Sequence, residues 1–394
     1  MKNIKFMVGC GISTIVAIGS ILSRTLNARV EFEPRDLRLN QIQSIGTHNS
    51  YHIEPAPNLT KAFLEGNWLT KALLGTFQYT HEPLPAQFDM GIRQIELDMF
   101  LDPEGGLYAE PLGNNAHERA NLPADPDFDL NDEMLQPGLK VLHTQDIDFR
   151  SVCLTFTKCL EEMKAWSDNH PQHFPIMVLI EAKDKTLPRM VSPDGITIDF
   201  TTPIKFDGSN ISEIDQEINA VFPREQLITP DDIRGNYGTL REAVMTDGWV
   251  TLAESQGKII FVMDNRNDLY LERYPGLRGA TLFTSAKEPG TDEGIFINTN
   301  EPTEEIPDLV KQGYIVRTRA DGDTLDARID STEKRDKAIK SGAQYISTDY
   351  PQPDEYFSDF QVLFADNTMI RCNPFNTSDN CRIEEYQRQN QRED

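Results

Sequence analysis

Short apolar runs of strand length recur along the chain and alternate with longer segments of helical periodicity. The strand candidates are residues 42–47, 94–99, 139–143, 176–181, 258–263, 294–297, 314–317 and 344–348. Apolar residues recur at helical spacing in segments 157–169, 213–221, 303–312 and 324–341. Alternating strands and helices over this length predict an α/β fold, a single parallel (β/α)8 barrel of the TIM type.

Two long connections interrupt this alternation. Residues 102–137 and 185–209 are rich in Pro, Gly, Asp and Asn, which indicates surface insertions and not linkers between domains. The segment after residue 374 is rich in Gln, Arg, Glu and Asn. We therefore expect one barrel domain over residues 29–374 with long loop insertions, followed by a peripheral tail over residues 375–394.

The first 28 residues have the pattern of a secretory signal peptide. Two lysines precede an apolar stretch over residues 6–22, and the small residue Ala28 ends the polar segment after it. We expect a mature chain that begins near Arg29 and is secreted, to the medium or to a periplasm. An uncleaved anchor is the alternative, because Leu26 stands where a cleavage site usually has a small residue.

The cysteines fit an exported protein. Cys10 lies in the leader, and the other four form two close pairs, Cys153 with Cys159 and Cys372 with Cys381. This spacing in an exported chain predicts two short-loop disulfides. The alternative, a zinc site, lacks both a Cys-x-x-Cys spacing and a nearby histidine.

The chain is strongly acidic, with a formal net charge of -25 and a pI near 4.7. Nucleic-acid binding needs clustered Lys and Arg, so we expect no nucleic-acid partner. The charge also disfavours attraction to an anionic membrane, so contact with a bilayer must be apolar, brief or bridged by calcium. We expect a monomer.

Polar side chains stand at the ends of several predicted strands, where the active site of a barrel lies. Glu96 and Asp98 are two residues apart on one strand, so their side chains leave the same face. Asn49 follows the first strand and Glu181 ends the fourth. These oxygen donors suit a hard cation, and mixed ligands from separate strands favour calcium over magnesium. Zinc would normally recruit a histidine.

Two histidines occupy similar positions. His48 follows the first apolar run and His143 ends the third. Imidazole titrates near neutral pH, so one ring can take a proton while the other gives one. That division of labour suits phosphodiester cleavage by a neighbouring hydroxyl, with a cation offsetting the charge of the transition state. One such histidine alone is usually structural, but histidines and carboxylates together predict an active site.

These residues resemble the phosphatidylinositol-specific phospholipases C, most closely the exported calcium-dependent microbial branch. The similarity runs from about residue 42 to residue 354. Each motif is weak alone, but the combination is specific. The motifs are Gly-Thr-His-Asn-Ser-Tyr at 46–51, Gly-Ile-Arg-Gln-Ile-Glu-Leu-Asp at 91–98, Val-Leu-His at 141–143, Leu-Ile-Glu-Ala-Lys at 179–183, Arg-Thr-Arg-Ala-Asp-Gly-Asp at 317–323 and Ser-Thr-Asp-Tyr-Pro at 347–351.

The resemblance implies a distorted barrel that cleaves phosphatidylinositol, a membrane phospholipid, to diacylglycerol and an inositol phosphate, through or stopping at the cyclic phosphate. His48 would help to deprotonate the inositol 2-hydroxyl, and His143 would protonate the departing diacylglycerol oxygen. The implied calcium ligands are Asn49, Glu96, Asp98 and Glu181.

Four further residues are candidates for substrate contact. Lys183 is expected to hold the phosphate, with an exposed lysine at the barrel mouth as the alternative. Arg319 would bind inositol hydroxyls or phosphate, although an ion pair to Asp321 or Asp323 is equally consistent with the sequence. The last strand ends in Asp349, which would orient the first histidine, and Tyr350, which would stack on the inositol ring.

Two assignments stay open in the sequence. More than forty residues separate Asp98 from His143, so His117 is an alternative for the second histidine; the strand-like run before His143 favours the latter. Segment 59–77 is apolar with few charges, which fits either a rim that enters lipid or a helix packed against the barrel.

Other functions also fit parts of the pattern. A glycerophosphodiester phosphodiesterase shares the barrel, the histidines and the Glu-x-Asp pair, but typically has His-Arg where this chain has His48 and Asn49. A sphingomyelinase-D-like lyase usually lacks the arrangement around Glu181. A calcium-dependent binding module on an inactive barrel would be expected to have lost a histidine, and both are present.

Overall fold

Near-continuous apolar runs form the central sheet. The strand Ile176–Ala182 has five buried residues in succession before its polar end, as expected for a strand covered on both faces. The computed structural model describes residues 36–64, 75–191, 197–265, 267–365, 367–378 and 380–383. Within these residues, ten strands join in one sheet and two more form a separate antiparallel pair.

The strands are numbered in chain order. They are β1 Ile42–Thr47, β2 Gln94–Phe100, β3 Lys140–Val141, β4 Ile176–Ala182, β5 Met190–Val191, β6 Thr197–Ile198, β7 Ile259–Met263, β8 Phe283–Ala286, β9 Phe296–Asn298, β10 Ile315–Arg319, β11 Tyr345–Thr348 and β12 Ile370–Cys372.

Several helices begin at residues whose side chains cap the first turn. The Thr155 side chain, for example, accepts a hydrogen bond from the backbone N–H of Lys158 at 3.2 Å. The helices are α1 Pro57–Leu64, α2 Leu84–Asp89, α3 Ala116–Arg119, α4 Phe156–Asn169, α5 Glu213–Val221, α6 Pro230–Arg234, α7 Leu240–Thr246, α8 Leu252–Ser255, α9 Asp268–Arg273, α10 Ile306–Lys311, α11 Leu325–Ile329 and α12 Glu333–Ser341.

Eight parallel strands make the distorted barrel, in the order β1, β11, β10, β9, β8, β7, β4 and β2. Between β2 and β1 there is no regular ladder among the described residues. The two strands are joined instead by the N–H of Glu96, which donates to Ser50 Oγ at 2.8 Å, and by the Gln94 side chain. Gly46 makes this approach possible, since a Cβ there would lie 2.1 Å from Gln94 Oε1.

The third predicted barrel strand was assigned incorrectly. Residues 139–143 form only the short β3, which runs antiparallel to β2, with Val141 opposite Met99 and Lys140 opposite Phe100. The strand that completes the set of eight barrel strands is instead β8. The sequence pattern did not reveal it, because Thr284 and Ser285 interrupt its apolar run.

Most predicted helices are present. Helices α4 and α5 match segments 157–169 and 213–221, and α10 is shorter than predicted. Segment 324–341 divides into α11 and α12, because Asp330 adopts a left-handed conformation with φ of 54° that ends α11.

Both predicted disulfides are confirmed. Cys153 is bonded to Cys159, and Cys372 to Cys381, with Cα–Cα distances of 5.3 and 6.1 Å. In the described part of the chain, no helix has the length and hydropathy needed to span a bilayer. The expected leader, most of the C-terminal tail and residues 65–74 of the apolar segment lie outside the described residues.

Candidate active site

His48 follows β1 directly and is held at the mouth of the barrel. Its Nδ1 lies 2.8 Å from Asp349 Oδ1, and Asp349 follows β11, the neighbouring strand. Asp349 is buried, and its other oxygen accepts from Arg319 at 2.7 Å. Burial opposes ionisation of Asp349, but the charges of Arg319 and His48 outweigh it and hold its pKa well below the ordinary value. An ionised Asp349 fixes the proton of His48 on Nδ1 and leaves Nε2 free to accept one.

His143 reaches the same mouth by an unexpected route. Because β3 is antiparallel to β2, the chain after Val141 runs back along β2 toward Asp98. His143 Nδ1 lies 2.6 Å from Asp148 Oδ2, and the edge of its ring faces Phe77 at 5.1 Å between centroids. Burial and the charge of Lys183 lower the pKa of His143.

A third histidine shares Asp148 with His143. His52 is fully buried; its Nε2 lies 2.8 Å from Asp148 Oδ1, and its Nδ1 lies 3.0 Å from the Tyr79 carbonyl oxygen. Since both ring nitrogens face acceptors, the doubly protonated ring fits best, and the charge and hydrogen bond of Asp148 raise the pKa of His52 against the effect of burial. Burial likewise opposes ionisation of Asp148, but its contacts with His52 and His143 lower its pKa to about 2.

A fourth histidine supports the backbone of the first. His81 is buried, and its Nε2 donates to the carbonyl oxygen of His48 at 2.8 Å. Burial lowers the pKa of His81 to about 4, so the ring is neutral at pH 7. His81 therefore fixes the position of His48 and contributes no charge.

Carboxylates from adjacent strands converge beside these histidines. Asp98 on β2 is the register partner of Glu181 on β4, and Glu96 lies on the same face of β2 as Asp98. Asp264, which follows β7, joins them: its N–H donates to the Ile180 carbonyl oxygen at 2.9 Å, one position past the paired residues Ile180 and Met263.

The carboxylates repel one another. Burial, then the charge of Asp98, raises the pKa of Glu181 to about 8. Burial, then the charges of Glu96 and Asp98, raises the pKa of Asp264 to about 7. A bound cation would favour the ionised forms of Glu181 and Asp264 at neutral pH.

Two cationic side chains neutralise part of this cluster. Arg317 on β10 donates to Glu96 Oε2 at 2.6 Å, and Lys183 donates to Asp98 Oδ2 at 2.8 Å. The Lys183 ammonium also lies 3.8 Å from Glu181. Two negative charges are left uncompensated when all four carboxylates are ionised, which is the charge that one divalent cation balances.

The donor set fits calcium. Glu96, Asp98 and Glu181 supply carboxylate oxygens, and the Asn49 amide donates to the Tyr79 hydroxyl at 2.9 Å, which orients its Nδ2 and leaves Oδ1 as the possible ligand. Asn49 has a φ of 44°, a left-handed conformation that asparagine tolerates. Asp98 Oδ1 is buried and accepts no hydrogen bond of normal geometry from the described residues, although the neutral Tyr51 hydroxyl is a neighbour of Asp98; a cation would satisfy this oxygen.

Two of the residues predicted at the substrate site are engaged inside the protein. Asp349 uses one oxygen toward His48 and the other toward Arg319, which agrees with the orienting role expected for it. Tyr350 is 2% exposed, with its ring packed near Phe357 and Phe360, so in this conformation it is not presented for stacking on an inositol ring.

The two predicted cationic contacts are engaged in ion pairs. Arg319 is buried and pairs with Asp349 and with Asp321 at 3.2 Å, the internal alternative that the sequence left open. Lys183 pairs with Asp98, but about a fifth of its side chain is exposed (20%) at the carboxylate cluster. Its contact with a substrate phosphate stays a prediction.

An open groove of about 690 Å³ lies on the His48 side of the mouth. It is bounded by Tyr79, His81, Asp349 and Tyr350, and by the loop that follows β11. His117 lies elsewhere, on the short helix α3 within the insertion. The histidine that the fold brings beside Lys183 and Asp98 is His143.

Several residues of the site were missed from the sequence. Asp264 ends an apolar run, so the signal that identified Glu181 was also present there. His52, His81 and Asp148 carry no comparable signal, because their positions follow from the return of the chain after β3 and from the packing of segment 75–81.

The fold is shared with a solved enzyme of low sequence identity. A calcium-dependent phosphoinositol-specific phospholipase C from Pseudomonas sp., in a myoinositol complex, aligns over 86% of this chain and 96% of that chain, with 15% identity and a TM-score of 0.50. A calcium-dependent phosphatidylinositol-specific phospholipase C from Streptomyces antibioticus aligns over 79% and 95%, with 17% identity and a TM-score of 0.47.

The sequence itself matches one family model over almost the whole barrel. The match covers residues 37–374 and is to the family described as phosphoinositide phospholipase C, Ca2+-dependent. No curated protein matches the chain. Because the match extends over most of the chain, the protein belongs to the family of calcium-dependent phosphoinositide phospholipases C.

Proposed function

We propose that this chain cleaves the phosphodiester of phosphatidylinositol by attack of the inositol 2-hydroxyl, with His48 as general base and His143 as general acid. The products are diacylglycerol and a cyclic inositol phosphate, which a water molecule can open. Family membership supports the reaction, and the observation that carries the roles is the pair of separate His–Asp contacts beside one carboxylate cluster.

His48 has the geometry of a base. Asp349 binds Nδ1, so Nε2 is the nitrogen left to accept a proton, and about a fifth of the side chain is exposed (18%). Arg319 on the far side of Asp349 keeps that carboxylate ionised, so the proton received by His48 gives an imidazolium that Asp349 stabilises.

His143 has the geometry of an acid. Asp148 accepts from its Nδ1, so in the doubly protonated ring the proton on Nε2 is the one available to the departing diacylglycerol oxygen. The buried His52 offsets the charge of Asp148, and Lys183 adds a second positive charge. Both effects favour release of the proton from His143, which is what a developing alkoxide requires.

Asn49, Glu96, Asp98 and Glu181 would hold the calcium ion, which would supply positive charge to polarise the phosphodiester and the attacking hydroxyl. Lys183, beside Asp98, would hold a phosphoryl oxygen by its free N–H groups. Arg317 keeps Glu96 oriented from the opposite side.

We also propose that the protein acts after export, as a monomer, on phosphatidylinositol at a bilayer surface. Its two disulfides are consistent with export.

The experiment compares diacylglycerol release from phosphatidylinositol vesicles by wild type, His48→Ala and His143→Ala. The matched control is His170→Ala, a histidine at the end of α4 whose ring stacks on Trp166 away from the mouth. Each active-site variant should lose at least about 100-fold in rate, and the control should keep wild-type activity. A calcium-induced rise in melting temperature in all variants would show that the metal site is intact.

Either histidine variant with a rate within threefold of wild type would overturn the assigned role of that residue. Turnover of glycerophosphoinositol without turnover of phosphatidylinositol would support the glycerophosphodiesterase alternative. Calcium binding without turnover of any phosphodiester would favour an inactive binding module.

A further inference from the structure

Asp264 lies in line with two of the expected calcium ligands. It follows β7, and its N–H continues the β4–β7 ladder by donating to the Ile180 carbonyl oxygen at 2.9 Å. On the other side of β4, Glu181 is paired with Asp98. Since paired residues of parallel strands direct their side chains to the same face, three adjacent strands each present a carboxylate at one level of the mouth.

The backbone of Asp264 is fixed by the network that holds Glu96. The Asn298 amide donates to the Asp264 carbonyl oxygen at 2.9 Å, and its Oδ1 accepts from Arg317 at 3.2 Å. Arg317 in turn pairs with Glu96. Asp264 is therefore part of the ligand scaffold and not the tip of a loose loop.

Two oxygens in this row lack a partner. Asp98 Oδ1 and Asp264 Oδ1 are both shielded from solvent, and neither accepts a hydrogen bond of normal geometry from the described residues. Asp98 is fully buried, and its neighbour Tyr51 offers only a neutral hydroxyl, which does not balance the carboxylate charge. A buried carboxylate oxygen without a donor is unfavourable in a protein interior. Two such oxygens on one face of the barrel point to a missing positive charge between them.

We infer that Asp264 is a fifth oxygen ligand of the calcium ion, in addition to Asn49, Glu96, Asp98 and Glu181. The inference deepens the proposed function, because it concerns the same site. Calcium accepts six to eight oxygen ligands, so a fifth protein group is compatible with its coordination. The charge balance agrees: Arg317 and Lys183 offset two carboxylates, and a divalent cation needs the other two, of which Asp264 is one.

The test is calcium titration by isothermal calorimetry on chelator-treated full-length protein. The variants are Asp264→Asn, which keeps the shape, and Asp264→Ala. The control is Asp308→Asn, a largely exposed carboxylate on α10 that pairs with Lys311. We expect Kd to rise at least about tenfold for both Asp264 variants and to be unchanged for the control.

Melting temperature separates a ligand from a structural residue. Without calcium, Asp264→Asn should melt at or above the wild-type temperature, because repulsion among the carboxylates is relieved. With calcium, its stabilisation should be smaller than that of wild type. A Kd for Asp264→Asn within twofold of wild type would overturn the inference, and so would a wild type that binds no calcium.

Phosphatidylinositol cleavage, measured in parallel, keeps the two claims apart. A wild type that binds calcium through Asp264 but does not cleave phosphatidylinositol would refute the proposed reaction and support the ligand assignment. A wild type that cleaves the lipid, together with Asp264→Asn of unchanged calcium affinity, would refute the assignment alone.

Discussion

Calcium binding should release protons from the carboxylate cluster near neutral pH. Without the ion, the pKa of Glu181 is raised to about 8 and that of Asp264 to about 7. Near pH 6.5 both groups then carry a proton most of the time, whereas a bound cation favours the ionised forms. From these values, binding near pH 6.5 should release between about one and two protons, and close to none near pH 9.

Calorimetry in buffers of different ionisation enthalpy measures this number, because each released proton adds the heat of buffer protonation. The Asp264→Asn variant should release roughly one proton fewer near pH 6.5, since the group that it lacks is protonated in most apo molecules. An observed binding heat that does not depend on the buffer near pH 6.5 would refute the reasoning. An equal release near pH 9 would also refute it.

The same pKa shifts fix the sign of a stability effect. Carboxylates whose pKa is raised in the folded state are most favourable to folding below their unfolded pKa, and this contribution is lost as pH rises through the folded pKa. In chelator, the contribution of Glu181 and Asp264 to stability should therefore decline between about pH 4 and pH 8, which lowers the melting temperature. Calcium should suppress this decline.

Two further substitutions test the scaffold. Gly46→Ala should lower the free energy of unfolding by about 1–3 kcal/mol, because the new Cβ would lie 2.1 Å from Gln94 Oε1. Chemical denaturation measures this change. The control, Gly208→Ala, should leave the free energy of unfolding nearly unchanged, because its Cβ would meet nothing within 4 Å. Asp148→Asn should slow phosphatidylinositol cleavage between about 100-fold and 10,000-fold, because His143 loses the carboxylate on its Nδ1. An unchanged calcium Kd would confirm that the metal site is retained. An unchanged rate would contradict the role of Asp148.

The motifs at strand ends predicted the centre of the site because their physical basis is local. In parallel strands, residues at the same level face one another, so the sequence order of Asp98 and Glu181 was sufficient to place them together, and the register confirms it. Asp264 ends an apolar run in the same way and could have been included. The strand pattern therefore contained more of the site than the familiar motifs alone.

Other features depend on tertiary contacts that periodicity does not describe. The run before His143 is apolar because Leu139, Val141 and Leu142 are buried, and a short antiparallel strand buries them as fully as a barrel strand would. Strand β8 was missed because a buried strand can contain hydroxyl residues, here Thr284.

The ion pairs show the same limit for charged residues. Sequence placed Arg319 and Asp349 near the mouth, and in the structure the two are paired, with Asp349 also in contact with His48. A cationic residue at a strand end has the same sequence signal whether it meets a ligand or a buried carboxylate, and only the packed structure distinguishes the two.

Phosphorus NMR of phosphatidylinositol vesicles incubated with the purified protein, in calcium and in excess chelator, tests the central claim most directly. We predict a cyclic inositol phosphate signal, followed by the open monophosphate, that appears with calcium and is absent in chelator. An unchanged phosphatidylinositol signal in both samples, or equal cleavage in both, would contradict a calcium-dependent phospholipase C.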